Sequence, residues 1–169
     1  MDAVIIFALL FAAGIPLYYF MRFIRRGTNR IISGGSYKLE QEMTTQVWQF
    51  ASNAAKESLI LKIKAHFPEA NKRLAWKSGW ICVRNGDMLV FAYGVVDVAY
   101  ATGNIPHIKA GMRFDDVENG VVALFNFISW TQSDGVCPHT KEMVTLTETI
   151  KALFRSADPN VKTSVSAVS

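Results

Sequence analysis

The sequence predicts an α+β protein in which an N-terminal transmembrane helix precedes a curved antiparallel sheet packed on a C-terminal amphipathic helix. Three observations predict it. The first is the charge-free run "AVIIFALLFAAGIPLYYFM", residues 3–21, closed by Arg22, Arg25, Arg26 and Arg30. The second is a series of apolar segments broken at Asn85-Gly86 and Asn119-Gly120, the dipeptide that most strongly marks a hairpin between strands. The third is "HTKEMVTLTETIKALFRS", which places Met143, Leu146, Ile150 and Leu153 on one helical stripe.

The chain has 169 residues, of which 50% are hydrophobic and 19% charged, enough for one globular domain and one short extra segment. Its net charge is +4, yet outside residues 1–30 it carries 14 basic against 13 acidic side chains. Nucleic-acid binding needs a dense basic face that releases counterions, so this balance excludes nucleic acid as the expected partner. Cys82 and Cys137 show no CxxC or framework spacing, which suits a reducing compartment.

A helix needs about 20 residues to cross a hydrocarbon core of about 30 Å, and residues 3–21 meet that length. Gly14 and Pro16 predict a bend near residues 12–16 that lipid tolerates. Tyr18, Tyr19 and Phe20 stand where an interfacial aromatic belt belongs, and Arg22, Arg25 and Arg26 form the basic juxtamembrane end. A cleaved signal peptide has its positive charge before the apolar run, the reverse of the order here. The arginine bias therefore predicts a single-pass protein of the cell membrane with its N-terminus outside and its domain cytoplasmic. Each arginine near an anionic surface adds about 1 kcal/mol of attraction. The expected organisation is an anchor at 1–26, a linker at 27–35 carrying Gly34 and Gly35, a domain at 36–157 and a disordered tail at 158–169.

Within the domain, "YKLEQEM" alternates Tyr37, Leu39, Gln41 and Met43 with Lys38, Glu40 and Glu42, which predicts a half-exposed strand. Thr44 and Thr45 offer an N-cap to "TTQVWQFASNAAK", where Val47, Phe50, Ala51 and Ala54 recur at helical spacing. After Glu57, Leu59, Leu61, Ile63, Ala65 and Phe67 alternate with Lys62, Lys64 and His66, so a strand is expected. "WICVRNGDMLVFAYGVV", "NIPHIKAGMRF" and "VVALFNFISWT" then form a meander, and a helix with Thr140 as its cap and Pro159 beyond its end closes the chain. In the last strand Val121, Ala123, Phe125 and Phe127 share one face, while Leu124, Ile128 and Trp130 occupy the other. One face takes the helices, and the other needs a cover, because large apolar patches are uncommon on free monomers.

"YKLEQEMTTQVWQFASN" resembles the opening of the START-like helix-grip superfamily of polyketide cyclases and lipid-transfer relatives, and "TLTETIKALFRSADP" is similar to its closing helix. The likeness runs from residue 36 to residue 157. It implies a helix-grip-like arrangement with a cavity between sheet and C-terminal helix for an apolar ligand, and it carries no catalytic residue. "PEANKRLAWKSG", after Phe67, departs from that superfamily's strand count.

The candidate ligand or partner residues are Trp80, Arg84, Phe91, Tyr93, Phe125, Phe127 and Trp130. Arg84, Tyr93 and Asn126 are the polar groups from which an enzyme acting on such a ligand would draw. Cys137 and His139, two apart, would need further ligands converging in space to hold a metal, and "DDVENG" lacks the oxygen spacing of an EF-hand loop. The sequence contains no GxSxG, P-loop, dinucleotide fingerprint or HExxH. No catalytic residue, metal or cofactor is expected. Two functions are: a membrane-tethered module that recruits a protein partner, or another copy of itself, through an apolar sheet face; or a START-like binder or carrier of a lipid or small hydrophobic molecule.

Overall fold

The computed structural model describes residues 16, 18–24, 34–67, 79–94, 106–133 and 135–167. In chain order the elements are α1 (Gly34–Thr44), β1 (Gln46–Ser52), α2 (Lys56–His66), β2 (Trp80–Asn85), β3 (Met88–Tyr93), β4 (Ile108–Val117), β5 (Gly120–Trp130), α3 (Thr140–Ala157) and β6 (Lys162–Ala167). The strands make one antiparallel sheet in the order β2-β3-β4-β5-β1-β6.

One face of the sheet is the core. Trp48, Phe50, Phe91, Met112, Phe125 and Phe127 point into it and meet Leu59, Ile60 and Ile63 of α2 and Met143, Leu146, Ile150 and Phe154 of α3. Aromatic contacts run along this layer: Phe50 stacks on Phe154 at 4.6 Å, and Phe125 meets Phe91 edge-on at 6.1 Å. Such pairs add about 1 kcal/mol beyond the area they bury.

Three expected elements are exchanged. Residues 37–43 are helical, because the side chain α1 buries is Glu40, which an apolar pattern counts as solvent-facing. Glu, Lys, Gln, Leu and Met all favour helix there. The helix expected over 44–56 is instead β1, where Trp48, Phe50 and Ser52 are buried in alternation. The strand expected from Leu59 is α2: Leu59, Ile60 and Ile63 form its buried face, Phe67 is buried just beyond its end, and Leu61, counted with them in the alternating reading, is 67% exposed.

Both Asn-Gly pairs lie at hairpins, one residue out of step with the turns. Asn85 pairs with Met88, so Gly86-Asp87 is the first loop, with Gly86 at φ 61. Val117 pairs with Gly120, so Glu118-Asn119 is the second. Gly120 has φ 140, and a Cβ there would lie 2.1 Å from the Ser52 carbonyl oxygen, so the close approach of β5 to β1 requires glycine.

Near the end of β5, Ala110 pairs with Phe127 but Lys109 pairs with Ser129, which leaves Ile128 as the extra residue of a bulge. The bulge reverses the facing of the last residues of β5. Trp130 stands with Ile108 on the core side and not, as its spacing predicted, on the face of Leu124.

The tail expected to be disordered contains β6, which pairs with β1 from Gln46↔Ala167 to Ala51↔Lys162. The transmembrane anchor also requires correction. Among the described residues no helix is long and apolar enough to cross a membrane. Residues 16 and 18–24 are helical, with Tyr18, Tyr19 and Phe20 exposed. The rest of the apolar run, at 3–15 and 17, and Arg25, Arg26 and Arg30 lie outside the described residues. The sidedness expected from the arginines presupposed that span.

At the far end of α3, the buried Asp158 carboxylate ties three segments together. It accepts from Ser52 Oγ (2.9 Å), Asn53 N (2.8 Å) and Asn160 N (2.9 Å). The two backbone N–H groups, and then the Ser52 hydroxyl, hold this carboxyl below its ordinary range. A group whose folded pKa is depressed stabilises the fold above its unfolded pKa, and that stability is lost as pH falls through the folded value. Asp158→Asn is expected to lower the thermal midpoint at neutral pH. The gap to wild type should close on acidification, measured by circular dichroism melts from about pH 7 to about pH 3.

Candidate functional site

Antiparallel connectivity brings one set of strand ends together. Trp80 opens β2, Tyr93 closes β3, His107 precedes β4 and Trp130 closes β5. Backbone bonds hold these ends in line: His107 N donates to Tyr93 O at 2.9 Å, and Thr131 N donates to His107 O at 2.8 Å. The loop after β5 then returns His139 and the first turn of α3 over the same end.

The rings there form a continuous row. Trp80 and Tyr93 are 5.3 Å apart, Tyr93 and His139 5.4 Å, and His139 and His107 5.1 Å between centroids. Burial, and then the charge of Glu142, push the Tyr93 hydroxyl up, so it stays protonated. Trp80 Nε1 is buried and finds no acceptor among the described residues.

Beside this row lies a buried carboxylate. Glu40, 2% exposed, accepts from Trp130 Nε1 at 2.8 Å, from the backbone N of Cys137 at 2.8 Å and from Gln132 Nε2. The helix α1 supplies the acceptor, and the end of β5 with the loop before α3 supplies the donors. Against that junction opens a pocket of about 440 Å³, lined by Ser36 of α1, Ser133, Cys137, Thr140, Lys141 and Glu142 among others. Burial pushes the Cys137 thiol up, against the smaller opposing pull of the His139 backbone, so Cys137 is a thiol and a poor nucleophile. Cys82 and Cys137 are both buried and form no disulfide. No group of three metal-binding side chains occurs among the described residues.

The residues expected to bind a ligand are dispersed. Phe91, Phe125 and Phe127 are core, and Trp130 is committed to Glu40. Trp80 and Tyr93 belong to the ring row. Arg84 sits toward the β2–β3 turn, four residues from Trp80, with its guanidinium on both oxygens of Glu57 at 2.9 Å. This ion pair holds the Glu57 carboxyl down. Asn126 stands opposite Gly111 on the other face of the sheet. Arg84, Tyr93 and Asn126 therefore do not converge. Glu40 and Glu142 read as ordinary solvent-facing positions and His107 as an isolated histidine, and only the packing of α1 and of the start of α3 against the strand ends brings them together.

Comparison with protein-family models, curated proteins and solved structures finds no match to the chain.

Removing Glu40 leaves the part-buried Trp130 Nε1 and the buried Cys137 N–H without an acceptor. Glu40→Ala is expected to lower unfolding free energy by about 2–4 kcal/mol, and Glu40→Gln by less because an acceptor oxygen remains. Urea titration followed by tryptophan fluorescence measures both.

Proposed function

We propose that this domain is a non-enzymatic binding module that recruits a protein partner through the outer face of its sheet. The observation that carries the reading is the composition of that face. Opposite the core, Ile81, Val83, Met88, Val90, Leu124 and Ile128 succeed one another across β2, β3 and β5, and Ile128 and Met88 close over Gly111 of β4. Val83 is 41% and Ile128 46% exposed. The helices α1, α2 and α3 all engage the core side, so none of them covers this one. Lys109, Gln49 and the Arg113–Asp115 pair, 2.9 Å apart, interrupt the apolar surface with polar groups, an apolar and polar mixture typical of non-obligate interfaces. The scattering of Arg84, Tyr93 and Asn126 leaves the sequence-derived catalytic set without a shared locus.

A second reading, a START-like binder of a lipid or small hydrophobic molecule, draws on the pocket of about 440 Å³ beside the start of α3. Its volume falls among those of small-molecule sites. Ser36, Thr140, Lys141 and Glu142 give it polar walls, which favour an amphipathic ligand over a wholly apolar one.

Two measurements test these readings. Affinity purification of the full chain from its own cells should recover a stoichiometric protein partner that Val83→Glu with Ile128→Glu loses while the fold persists. A partner retained by that variant, or no partner at all, counts against the first reading. Native mass spectrometry of the full chain should show a retained small molecule on the second reading, and only bare protein counts against it.

A further inference from the structure

We propose that β6 is a homodimerisation edge, pairing antiparallel with β6 of a second copy of this chain so that two six-stranded sheets become one. Among the described residues the strand is the last in the sheet order, paired with β1 on one side only, and all six of its residues are exposed. Sheet edges normally carry protection against pairing: proline, a bulge, or charges along the strand. "KTSVSA" has no proline, pairs with β1 in unbroken register and has a single charge, Lys162, at its beginning. The edge it presents is therefore straight and almost neutral.

The faces of the sheet select the occupant and the register. Thr163, Val165 and Ala167 stand opposite Phe50, Trp48 and Gln46, on the core side, while Ser164 and Ser166 stand on the outer side. Directly opposed residues of an antiparallel pair share a face, so a twofold axis perpendicular to the sheet must match core-side residues with core-side residues. An axis through Val165 does so. It sets Val165 against its own copy, Thr163 against Ala167 and Ser164 against Ser166, with Lys162 beyond these pairs and no charge facing a like charge. Val165 is 51% exposed although it lies on the core side, because the helices do not extend over this margin of the sheet. Opposing it with a second Val165 covers both, and the same strand supplies both halves of a closed, isologous contact. This edge is separate from the outer face assigned to a protein partner, so neither proposal depends on the other.

Sedimentation equilibrium of the full chain reads the association. Wild type is expected to sediment as a dimer. Val165→Lys and Val165→Glu each place like charges opposite one another at the axis and are expected to be monomers. The side chain is half in solvent in one protomer, so circular dichroism and the thermal midpoint should stay at wild-type values. An equimolar mixture of the two variants places Lys against Glu and is expected to restore the dimer. A monomeric wild type overturns the proposal and leaves the edge to a strand of another protein. Dimers that persist in both single variants, or a mixture of folded variants that stays monomeric, overturn it as well.

Discussion

A buried carboxylate on the first helix governs how this chain closes. Burying a carboxyl group is unfavourable unless its oxygens are satisfied, and Glu40 meets that condition only when three separated groups, Trp130 Nε1, Gln132 Nε2 and the Cys137 N–H, converge on it. That requirement fixes α1 against the end of β5 and the approach to α3. The pocket between Ser36 and Thr140 is a consequence of the same junction, and so is the path that delivers His139 onto Tyr93 and His107.

Asp158 does the equivalent at the other end of α3. By accepting from Ser52, Asn53 and Asn160 it joins the end of β1 to the turn that starts β6. The long helix is thus held at both ends by carboxylates whose donors come from remote segments, while Phe50 and Phe154 fix its middle against the sheet. With α3 so placed, one face of the sheet is closed and the other left to its own side chains. The two surfaces proposed for interaction arise from this asymmetry: an outer face that no described helix covers, and a margin at β6 where Val165 stays half exposed.

The local chemistry of the chain determined the antiparallel hairpins, because Asn-Gly between apolar runs has few other uses, and it determined α3, whose apolar stripe is long and regular. It also determined that Val121, Ala123, Phe125 and Phe127 share one face, since alternation along β5 is regular until the bulge, but packing decided that this face is the core. Only the tertiary structure decided the rest. Residues 37–67 exchanged helix for strand because short segments satisfy both periods, and burial of Glu40, exposure of Leu61 and the pairing of Trp48 with Phe125 broke the tie. One unpaired residue, Ile128, turned Trp130 inward. Residues 162–167 are too polar to order themselves and are strand because β1 offers them an edge. The membrane expectation rested on the length of the apolar run and the arginines behind it, and no helix among the described residues is long and apolar enough to cross. Glu40, Tyr93, His107, His139 and Glu142 are scattered through the sequence, and they adjoin because strand pairing aligns Tyr93 with His107 while α1 and the start of α3 pack over the same end.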